Sequence, residues 1–337
     1  RYAYRVGEQL VFETDTACED FEPRKEEKRV GRRGRKSREK EWRLTLYAEV
    51  PPTVKPCGFY GDMLTEALWL PYTDKEENIS LRPSVIIARK GYEPQIKDFY
   101  KAETKFTGVF PAQDMTSLMS VQGAQMIASN AIIEPQKVDS EIDEAFRKHL
   151  EISEAERILS KRWIEGSFFY DAFDCFPIQN ILGVSESGKS RLNLVNLALC
   201  YHAEGIIDPT EAGIFRSKEE DKATLCIDEA EYLNNPHLHS TLRILINASY
   251  SKYSGYVTRY DEIGGKRVKR RFDLYSPMSI VGIGGLEGIT LSRAFRIVMR
   301  RVDKDFPKAN PDMYRVLRDK LYVLRVRSCF DVYDLYQ

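Results

Sequence analysis

The chain has 337 residues, of which 42% are hydrophobic and 30% charged, and its 51 basic and 51 acidic residues give a formal net charge of zero. This composition is typical of a globular protein and excludes an intrinsically disordered chain. Zero net charge excludes a bulk attraction to nucleic acid, so any such contact has to come from local basic patches. No apolar run approaches 18 residues, which predicts neither a membrane span nor a membrane partner.

The six cysteines lie far apart, without a CxxC pair. Cys200 and Cys226 stand in apolar runs, so we expect buried thiols in a reducing cytosol and therefore a cytoplasmic protein. His237 and His239 lie two residues apart on a predicted helix and would point in different directions. With no other candidate ligand beside them, the sequence does not predict a zinc site.

Residues 1–135 are rich in strand-forming patterns and predict a small mixed α/β domain of unclear function. The runs at 42–50 (WRLTLYAEV) and 84–92 (SVIIARKGY) predict strands. Between Arg24 and Arg43 lies a segment with 11 basic residues. Its composition favours a solvated loop or linker, and the alternative is an arm that grips phosphates.

Residues 136–176 predict a helical linker. The runs SEIDEAFRKHL (140–150) and SEAERILSKRW (153–163) each open with a serine that is followed three residues later by an acid, the pattern of a capping box. The second helix is predicted to continue toward Pro177. We place a domain boundary near residues 135–140, because short apolar strands alternate with helices from there on, as in α/β proteins.

Residues 183–190 fit the pattern G-x-x-x-x-G-K-[ST]. A predicted strand at 178–182 precedes it, and an apolar-rich helix follows. Its glycines let backbone N–H groups converge on phosphate oxygens at a helix N-terminus, which predicts an ATP site. Lys189 would reach the β- and γ-phosphates, and the Ser190 hydroxyl would bind Mg²⁺. The predicted nucleotide-binding residues are Gly183, Ser185, Glu186, Ser187, Gly188, Lys189, Ser190 and Arg191.

The run ATLCIDEAEYL (223–233) predicts a strand over residues 225–227 that ends in Asp228 and Glu229. A carboxylate at the carboxyl end of a strand lies on the same edge of an open α/β sheet as the loop at 183–190. Asp228 is predicted to hold Mg²⁺ through water. Glu229 is predicted to polarise the water that attacks the γ-phosphate, which makes it a catalytic residue together with Lys189.

Five segments together resemble the AAA+-related ATPase core of superfamily 3-type and minichromosome-maintenance-type helicases, as found in replication proteins of plasmids, viruses and phages. The segments are NILGVSESGKSRL, ATLCIDEAEYL, LRILINASY, SPMSIVGIGGL and LSRAFRIVMRR. The resemblance covers about residues 160–325. It implies a three-layer P-loop (AAA+-like) α/β ATPase core at 177–305, a helical lid or docking segment at 306–337, and a homo-oligomeric ring, expected to be a hexamer.

The segment LSRAFRI (291–297) resembles the SRF-like motif of this family, whose arginine reaches the ATP of a neighbouring subunit. The match implies that Arg293 is a catalytic arginine finger. Three nearby arginines compete for the role: Arg296, Arg300 and Arg301.

The family also places a polar sensor residue at the end of the strand that follows the acidic motif. This chain has Gly284 and Gly285 at that place. Either another residue, such as Asn247, takes over the sensor role, or sensing of the γ-phosphate is weaker.

Residues 253–277 predict a β-hairpin with a turn at Gly264-Gly265. Lys266 would stand at the tip, with Arg267, Lys269 and Arg271 alternating onto one face of the returning strand. The pattern alone fits a solvated hairpin equally well. Similar helicases carry a hairpin at this place that projects into the ring channel, which implies that Lys266, Arg267 and Lys269 bind the DNA backbone without sequence preference.

These observations predict a Mg²⁺–ATP-dependent, ring-forming DNA translocase that acts on single-stranded or forked DNA, a replicative helicase of a mobile element such as a virus or plasmid. Two alternatives remain open. One is an ATPase that remodels or recruits protein partners through its N-terminal domain, and the other is a DNA-packaging motor that acts on duplex DNA. Stimulation of ATP turnover by DNA argues against the first, and comparing forked, single-stranded and duplex DNA separates the second.

Overall fold

In the computed structural model, the described residues are 2–6, 9–13, 54–207, 210–228, 240–263, 266–283 and 288–337. By the contacts that its residues make with one another, the chain divides into one unit over Arg1–Val50 and a second over Pro51–Gln337. In the first unit, β1 (Tyr2–Val6) and β2 (Gln9–Glu13) form an antiparallel pair. The predicted strand at 42–50 and the basic segment at 24–43 lie outside the described residues.

The second unit contains both strands and helices. Its described strands are β3 (Gly58–Phe59), β4 (Met63–Thr73), β5 (Ile79–Arg89), β6 (Gln95–Asp98), β7 (Ile178–Leu182), β8 (Ala203–Ile207), β9 (Thr224–Asp228), β10 (Tyr256–Ile263), β11 (Lys266–Asp273), β12 (Met278–Gly282) and β13 (Ala294–Val298). Its described helices are α1 (Val121–Ala128), α2 (Pro135–His149), α3 (Glu154–Ser167), α4 (Lys189–Leu199), α5 (Glu211–Glu219), α6 (Ser240–Ala248), α7 (Gly288–Ser292) and α8 (Arg315–Tyr336).

Five strands form a parallel sheet in the order β13-β7-β12-β9-β8. Successive side chains of a strand point to opposite faces, so each face carries its own apolar set. Ile181 and Val281 belong to the core that contains α3 and α4. Ile178 and Ile280 belong to a second core with α5 and α6. The second unit is therefore α/β, with a five-stranded parallel sheet flanked by helices, as the sequence predicts at this level.

A second sheet is antiparallel, in the order β3-β4-β5-β6, and its β4 and β5 pair over eleven residues each. β5 covers most of the strand predicted at 84–92. Leu64, Leu68 and Ile86 of this sheet are buried in the same core as α2, α3 and α4. The predicted boundary near residues 135–140 thus falls inside one compact unit.

A buried ionic network joins the two sheets to α8. The carboxylate of Glu66 on β4 accepts hydrogen bonds from the Tyr201 hydroxyl (3.1 Å) and from Arg325 Nε (2.9 Å), and it lies 2.9 Å from His202 Nε2. Arg325 also binds both carboxylate oxygens of Asp171, at 2.8 and 2.7 Å. Because buried charges are tolerated only when paired, these contacts specify how the sheets and α8 fit together.

Of the two helices that precede the parallel sheet, α2 begins and α3 ends at a residue other than the predicted one. α2 starts at Pro135, and Ser140 lies inside the helix with its hydroxyl donating to the Gln136 carbonyl at 2.9 Å. The predicted start at Ser140 is wrong, because proline at a first helical position has a fixed φ that already fits the helix. α3 confirms the second capping box, formed by Ser153 and Glu156, but it ends at Ser167 and does not continue to Pro177.

Within the segment 306–337, predicted as a helical lid or docking segment, a 3-10 turn over Pro311–Tyr314 is followed by α8. Leu321, Tyr322 and Val326 of α8 are buried. The helix packs against α1, α2 and α4, so it is an integral part of the core. Within the described ranges, no helix combines the length and the apolarity that a bilayer crossing requires.

Candidate functional site

The loop between β7 and α4 is shaped by two glycines. A Cβ atom on Gly183 would lie 2.6 Å from the carbonyl oxygen of Met299, so only glycine fits between the loop and the chain beside it. Gly188 has a φ of +88°, in the left-handed region that favours glycine, directly before α4 begins at Lys189. The loop therefore leads from the carboxyl end of β7 into a helix N-terminus, whose N–H groups attract anions.

Lys189 and Ser187 supply polar groups to this loop. The Lys189 ammonium donates to the carbonyl oxygens of Gly183 (2.6 Å) and Val184 (2.8 Å). The Ser187 side chain is only 3% exposed, and its hydroxyl has no hydrogen-bond partner among the described residues. Because an unsatisfied buried hydroxyl costs about 1–3 kcal/mol, this group fits a loop that is built to receive a further polar ligand.

A cleft of about 520 Å³ opens beside the loop, between the end of α2 and residues 299–308. Four cations line it: Lys189, Arg191, Lys304 and Lys308. Phe306 also lines the cleft, with the Arg191 guanidinium 5.7 Å and the Lys304 ammonium 4.7 Å from its ring centroid. Three acidic residues, Glu151, Glu186 and Asp305, also line the cleft, so its four cations are in excess by one beside the aromatic wall.

Lys304, Phe306 and Lys308 are not among the residues that the sequence predicts for this site. They lie on a segment without a defined helix or strand, and their spacing matches no phosphate-binding pattern. The one available signal is the run KDFPK (304–308), which begins six residues after the end of β13 and places an aromatic residue between two cations.

The acidic strand end lies on the same edge of the sheet as the loop. β9 ends at Asp228, and β12 lies between β9 and β7. Adjacent strands are about 4.8 Å apart, so the ends of β7 and β9 are separated by about 10 Å. The predicted Mg²⁺ ligands, the Ser190 hydroxyl and the Asp228 carboxylate, are oxygen donors of the kind that this ion prefers. Glu229 lies outside the described residues.

Arg293 lies on the opposite edge. It directly precedes β13, whose first residue, Ala294, pairs with the first residue of β7. Its guanidinium donates to the Asn247 carbonyl at 2.7 Å and lies 5.5 Å from the ring centroid of Tyr250. The five residues of β7 separate it from the loop by about 16 Å, beyond the reach of an arginine side chain. Arg293 therefore does not reach the loop at 183–190 of its own chain.

The contact between Arg293 and Asn247 also shows on which edge of the sheet Asn247, the alternative sensor residue, lies. Asn247 lies near the end of α6, beside Arg293 at the amino edge of the sheet. Asn247 is thus on the wrong edge to sense a phosphate in the loop of its own chain. Gly284 and Gly285 lie outside the described residues.

The competing arginines are placed differently. Arg301 follows β13 at the carboxyl edge, where its Nε donates to the Ser185 carbonyl at 2.9 Å and its guanidinium lies 3.7 Å from the Glu186 carboxylate. It therefore contacts the loop of its own chain. Arg296 and Arg300 are exposed, on and after β13.

β10 and β11 form the predicted hairpin, and the pairing of Ile263 with Lys266 leaves two residues for the turn. The turn itself, Gly264-Gly265, lies outside the described residues. Arg267, Lys269 and Arg271 are exposed and share one face, as predicted. After β11, residues 274–277 lead directly into β12, so the hairpin emerges from the amino edge of the parallel sheet.

One group of buried side chains has the composition of a metal site. The ligand atoms of Cys57, Glu66 and His202 lie within 4.8 Å of one another. The Glu66 carboxylate is already bound by Tyr201 and Arg325, and burial raises the pKa of the Cys57 thiol well above its ordinary value, which disfavours the thiolate that metals bind. We therefore assign these residues to the ionic network. His237 and His239 lie outside the described residues.

No protein-family model matches the chain, and no curated protein is significantly similar to it in sequence. The resemblance to helicase ATPase cores thus stays a prediction from motifs. What the molecule does has to be inferred from the loop, the acidic strand end, the cleft and the hairpin.

Proposed function

We propose that the protein is a P-loop, AAA+-like ATPase that couples hydrolysis of Mg²⁺–ATP to movement along DNA. The observation that carries the proposal is the arrangement of the carboxyl edge. There the glycine-shaped loop, a helix N-terminus and Lys189 lie about two strand spacings from Asp228. Ligands of open α/β sheets bind outside the carboxyl ends of the strands, so these groups converge where the fold favours binding.

Each group has a distinct task in this proposal. The N–H groups of residues 183–190 and the Lys189 ammonium bind the phosphates, and the cleft beside Phe306 accepts the remainder of the nucleotide. Ser190 and Asp228 would hold Mg²⁺, which screens phosphate charge when bound. Glu229 orients and polarises the attacking water.

The position of Arg293 supports a site shared between subunits. A head-to-tail interface brings the amino edge of one copy against the carboxyl edge of the next, and such contacts form a ring where the rotation between copies closes. Ring formation, with six subunits as the expected number, is therefore part of the proposal.

The exposed cations of the hairpin support DNA as the polymer along which the protein moves. Its exposed face carries Arg267, Lys269 and Arg271 although the chain as a whole has no net charge. Contacts of such cations with phosphates are independent of sequence, as a translocase requires. We therefore favour a cytoplasmic replicative helicase of a mobile element over an ATPase that remodels proteins or packages duplex DNA.

Measurement of ATP turnover with Mg²⁺ tests this proposal, in the absence of DNA and with single-stranded, forked or duplex DNA. Turnover should be stimulated most by the single strand or the fork. Lys189→Ala should abolish nucleotide binding or turnover, because it removes the charge that neutralises the β- and γ-phosphates. Lys137→Ala, which removes an exposed lysine of α2, is the matched control and should behave like the wild type.

Unchanged turnover in Lys189→Ala would refute the nucleotide site. Turnover without any response to DNA would favour the protein-remodelling function, and stimulation by duplex DNA alone would favour the packaging motor.

A further inference from the structure

The exposed face of the β10–β11 hairpin carries two tyrosines among its cations. Tyr260 on β10 is 66% exposed and lies directly across from Lys269 on β11. Tyr256, nearer the base of the hairpin, is 39% exposed, and the Arg271 guanidinium lies 3.1 Å from its ring centroid. Since Arg271 covers the ring of Tyr256, Tyr260 is the more accessible aromatic surface on this face.

The opposite face of the hairpin is held by the core of the protein. The rings of Phe272 and Phe215 are 5.3 Å apart, and the Arg259 guanidinium lies 5.1 Å from the Phe215 ring and 3.4 Å from the Glu211 carboxylate. These contacts with α5 fix the orientation of the hairpin. They direct the face with Tyr260 away from the core of its own chain.

Charge on the exposed face is concentrated around Tyr260. Glu262 pairs across the hairpin with Arg267 and offsets part of its charge, whereas Lys269 pairs with Tyr260 itself. Lys269 and Arg267 lie two residues apart on the same face, about 6.8 Å along the strand. The face therefore offers a phosphate-binding cation directly beside an exposed ring.

We infer that Tyr260 stacks against an unpaired base of a single-stranded nucleic acid while Lys269 binds an adjacent phosphate. This inference rests on the proposed function and specifies its substrate. The bases of a duplex are stacked on one another, so only a single strand can present a base to the ring. Every base has a π-face, so the contact is independent of sequence.

Equilibrium binding of labelled oligonucleotides by fluorescence anisotropy tests the inference. The ligands are oligo-dT, an abasic strand with the same phosphates, oligo-U and a duplex. The variants are Tyr260→Ala, Tyr260→Phe and Lys269→Ala. Tyr92→Ala, which removes a tyrosine that is 76% exposed in the turn after β5, is the control for loss of an exposed ring.

Tyr260→Ala should weaken oligo-dT binding about 5- to 150-fold, the range expected for loss of one stacked base, and should leave abasic binding and the salt dependence unchanged. Tyr260→Phe should restore dT binding, because the ring is sufficient for stacking. Lys269→Ala should weaken both ligands and reduce the slope of log affinity against log salt by about 1. Tighter binding of oligo-U than of oligo-dT would support the same stacking with RNA as the source of the strand.

Equal losses on oligo-dT and on the abasic strand, or no loss in Tyr260→Ala, would overturn the stacking role and leave the DNA-directed function intact. A wild-type protein that binds none of the oligonucleotides at low salt would overturn the DNA-directed function itself. The wild type and the variant thus report on the two proposals separately.

Discussion

The two edges of the parallel sheet are built for different contacts. The carboxyl edge presents a glycine-shaped loop, the N-terminus of α4 and Asp228, all within one chain. The amino edge presents Arg293 and the base of the hairpin, neither of which can reach the loop of the same chain. Under the proposed function, this difference would leave the phosphate-binding half of the site within one chain, and it would direct Arg293 and the exposed face of the hairpin toward other molecules.

Charged contacts brace the amino edge. Asp273, the last residue of β11, binds Lys222 at 2.7 Å, and its N–H donates to the Glu219 carboxylate at 2.6 Å. Glu219 in turn binds Lys55 of the segment that precedes the antiparallel sheet, at 2.7 Å. Burial raises the pKa of the Asp273 carboxyl, but the Lys222 ammonium outweighs this effect and the net direction is downward. The base of the hairpin is thus fixed to the core by charged contacts.

The largest expected effect concerns the amino edge. Arg293→Ala should leave nucleotide binding nearly intact and lower ATP turnover by about 10³-fold or more, the scale of arginine fingers. Mixing it with Lys189→Ala subunits should restore part of the activity, because each variant keeps the half-site that the other lacks. Turnover of the mixed particles is the measurement.

Arg301→Ala is the control for this prediction, since Arg301 contacts the loop of its own chain. Suppose that Arg301→Ala caused the large loss of ATP turnover, and that assembled mixtures of Arg293→Ala and Lys189→Ala subunits recovered no activity. The site would then be complete within one chain. The distinction between the edges would then not hold.

The carboxyl edge carries the next effect. Glu229→Gln should lower turnover by about 10²- to 10⁴-fold, because an amide cannot polarise water as a carboxylate does. Nucleotide should remain bound, as measured with a fluorescent ATP analogue. Loss of binding in this variant would exchange the roles that we assign to Asp228 and Glu229.

Substitutions in the hairpin should affect DNA binding without affecting ATP hydrolysis. Changing Lys266, Arg267 and Lys269 together to Ala should leave basal turnover close to the wild type, while DNA stimulation and strand separation are lost. The slope of log affinity against log salt should fall by up to about 2 to 3 units, one for each phosphate contact. Normal unwinding by this variant would place DNA elsewhere, and the basic segment from Arg24 to Arg43 would become the leading candidate.

The smallest expected effect concerns Asp221, which lies three residues before β9 at the amino edge. Burial raises the pKa of the Asp221 carboxyl from 3.8 to about 6, so the folded protein holds this proton more tightly than the unfolded chain does. The contribution to stability is fully present below about pH 4 and is lost as the pH rises through about 6. The measurement is the urea concentration at half unfolding as a function of pH. Asp221→Asn should flatten the change in this midpoint between about pH 4 and 6. Asp331→Asn, which changes an exposed aspartate, is the control and should leave the change as it is in the wild type. An unchanged profile in Asp221→Asn would show that Asp221 is hydrated.

Sequence reasoning located those features whose cause is local. The loop at 183–190 requires glycine for backbone reasons, β7 and β9 are short apolar runs, and the cap of α3 needs only Ser153 and Glu156. The face shared by Arg267, Lys269 and Arg271 follows from the two-residue period of a strand. The sequence offers both Pro135 and Ser140 as the start of α2, and the helix begins at Pro135, whose fixed φ fits a first helical position.

The residue pattern by itself determined the glycine-shaped loop at 183–190 and the acidic end of β9, because each depends on neighbours within a few positions in the chain. Only the tertiary structure decided which groups share an edge, since strand order is set by contacts between residues far apart in sequence. It placed Arg293 beside Asn247 and away from its own loop, and it brought Phe306 beside Arg191. It also buried Glu66 against Arg325, a pairing across 259 residues that no local pattern records.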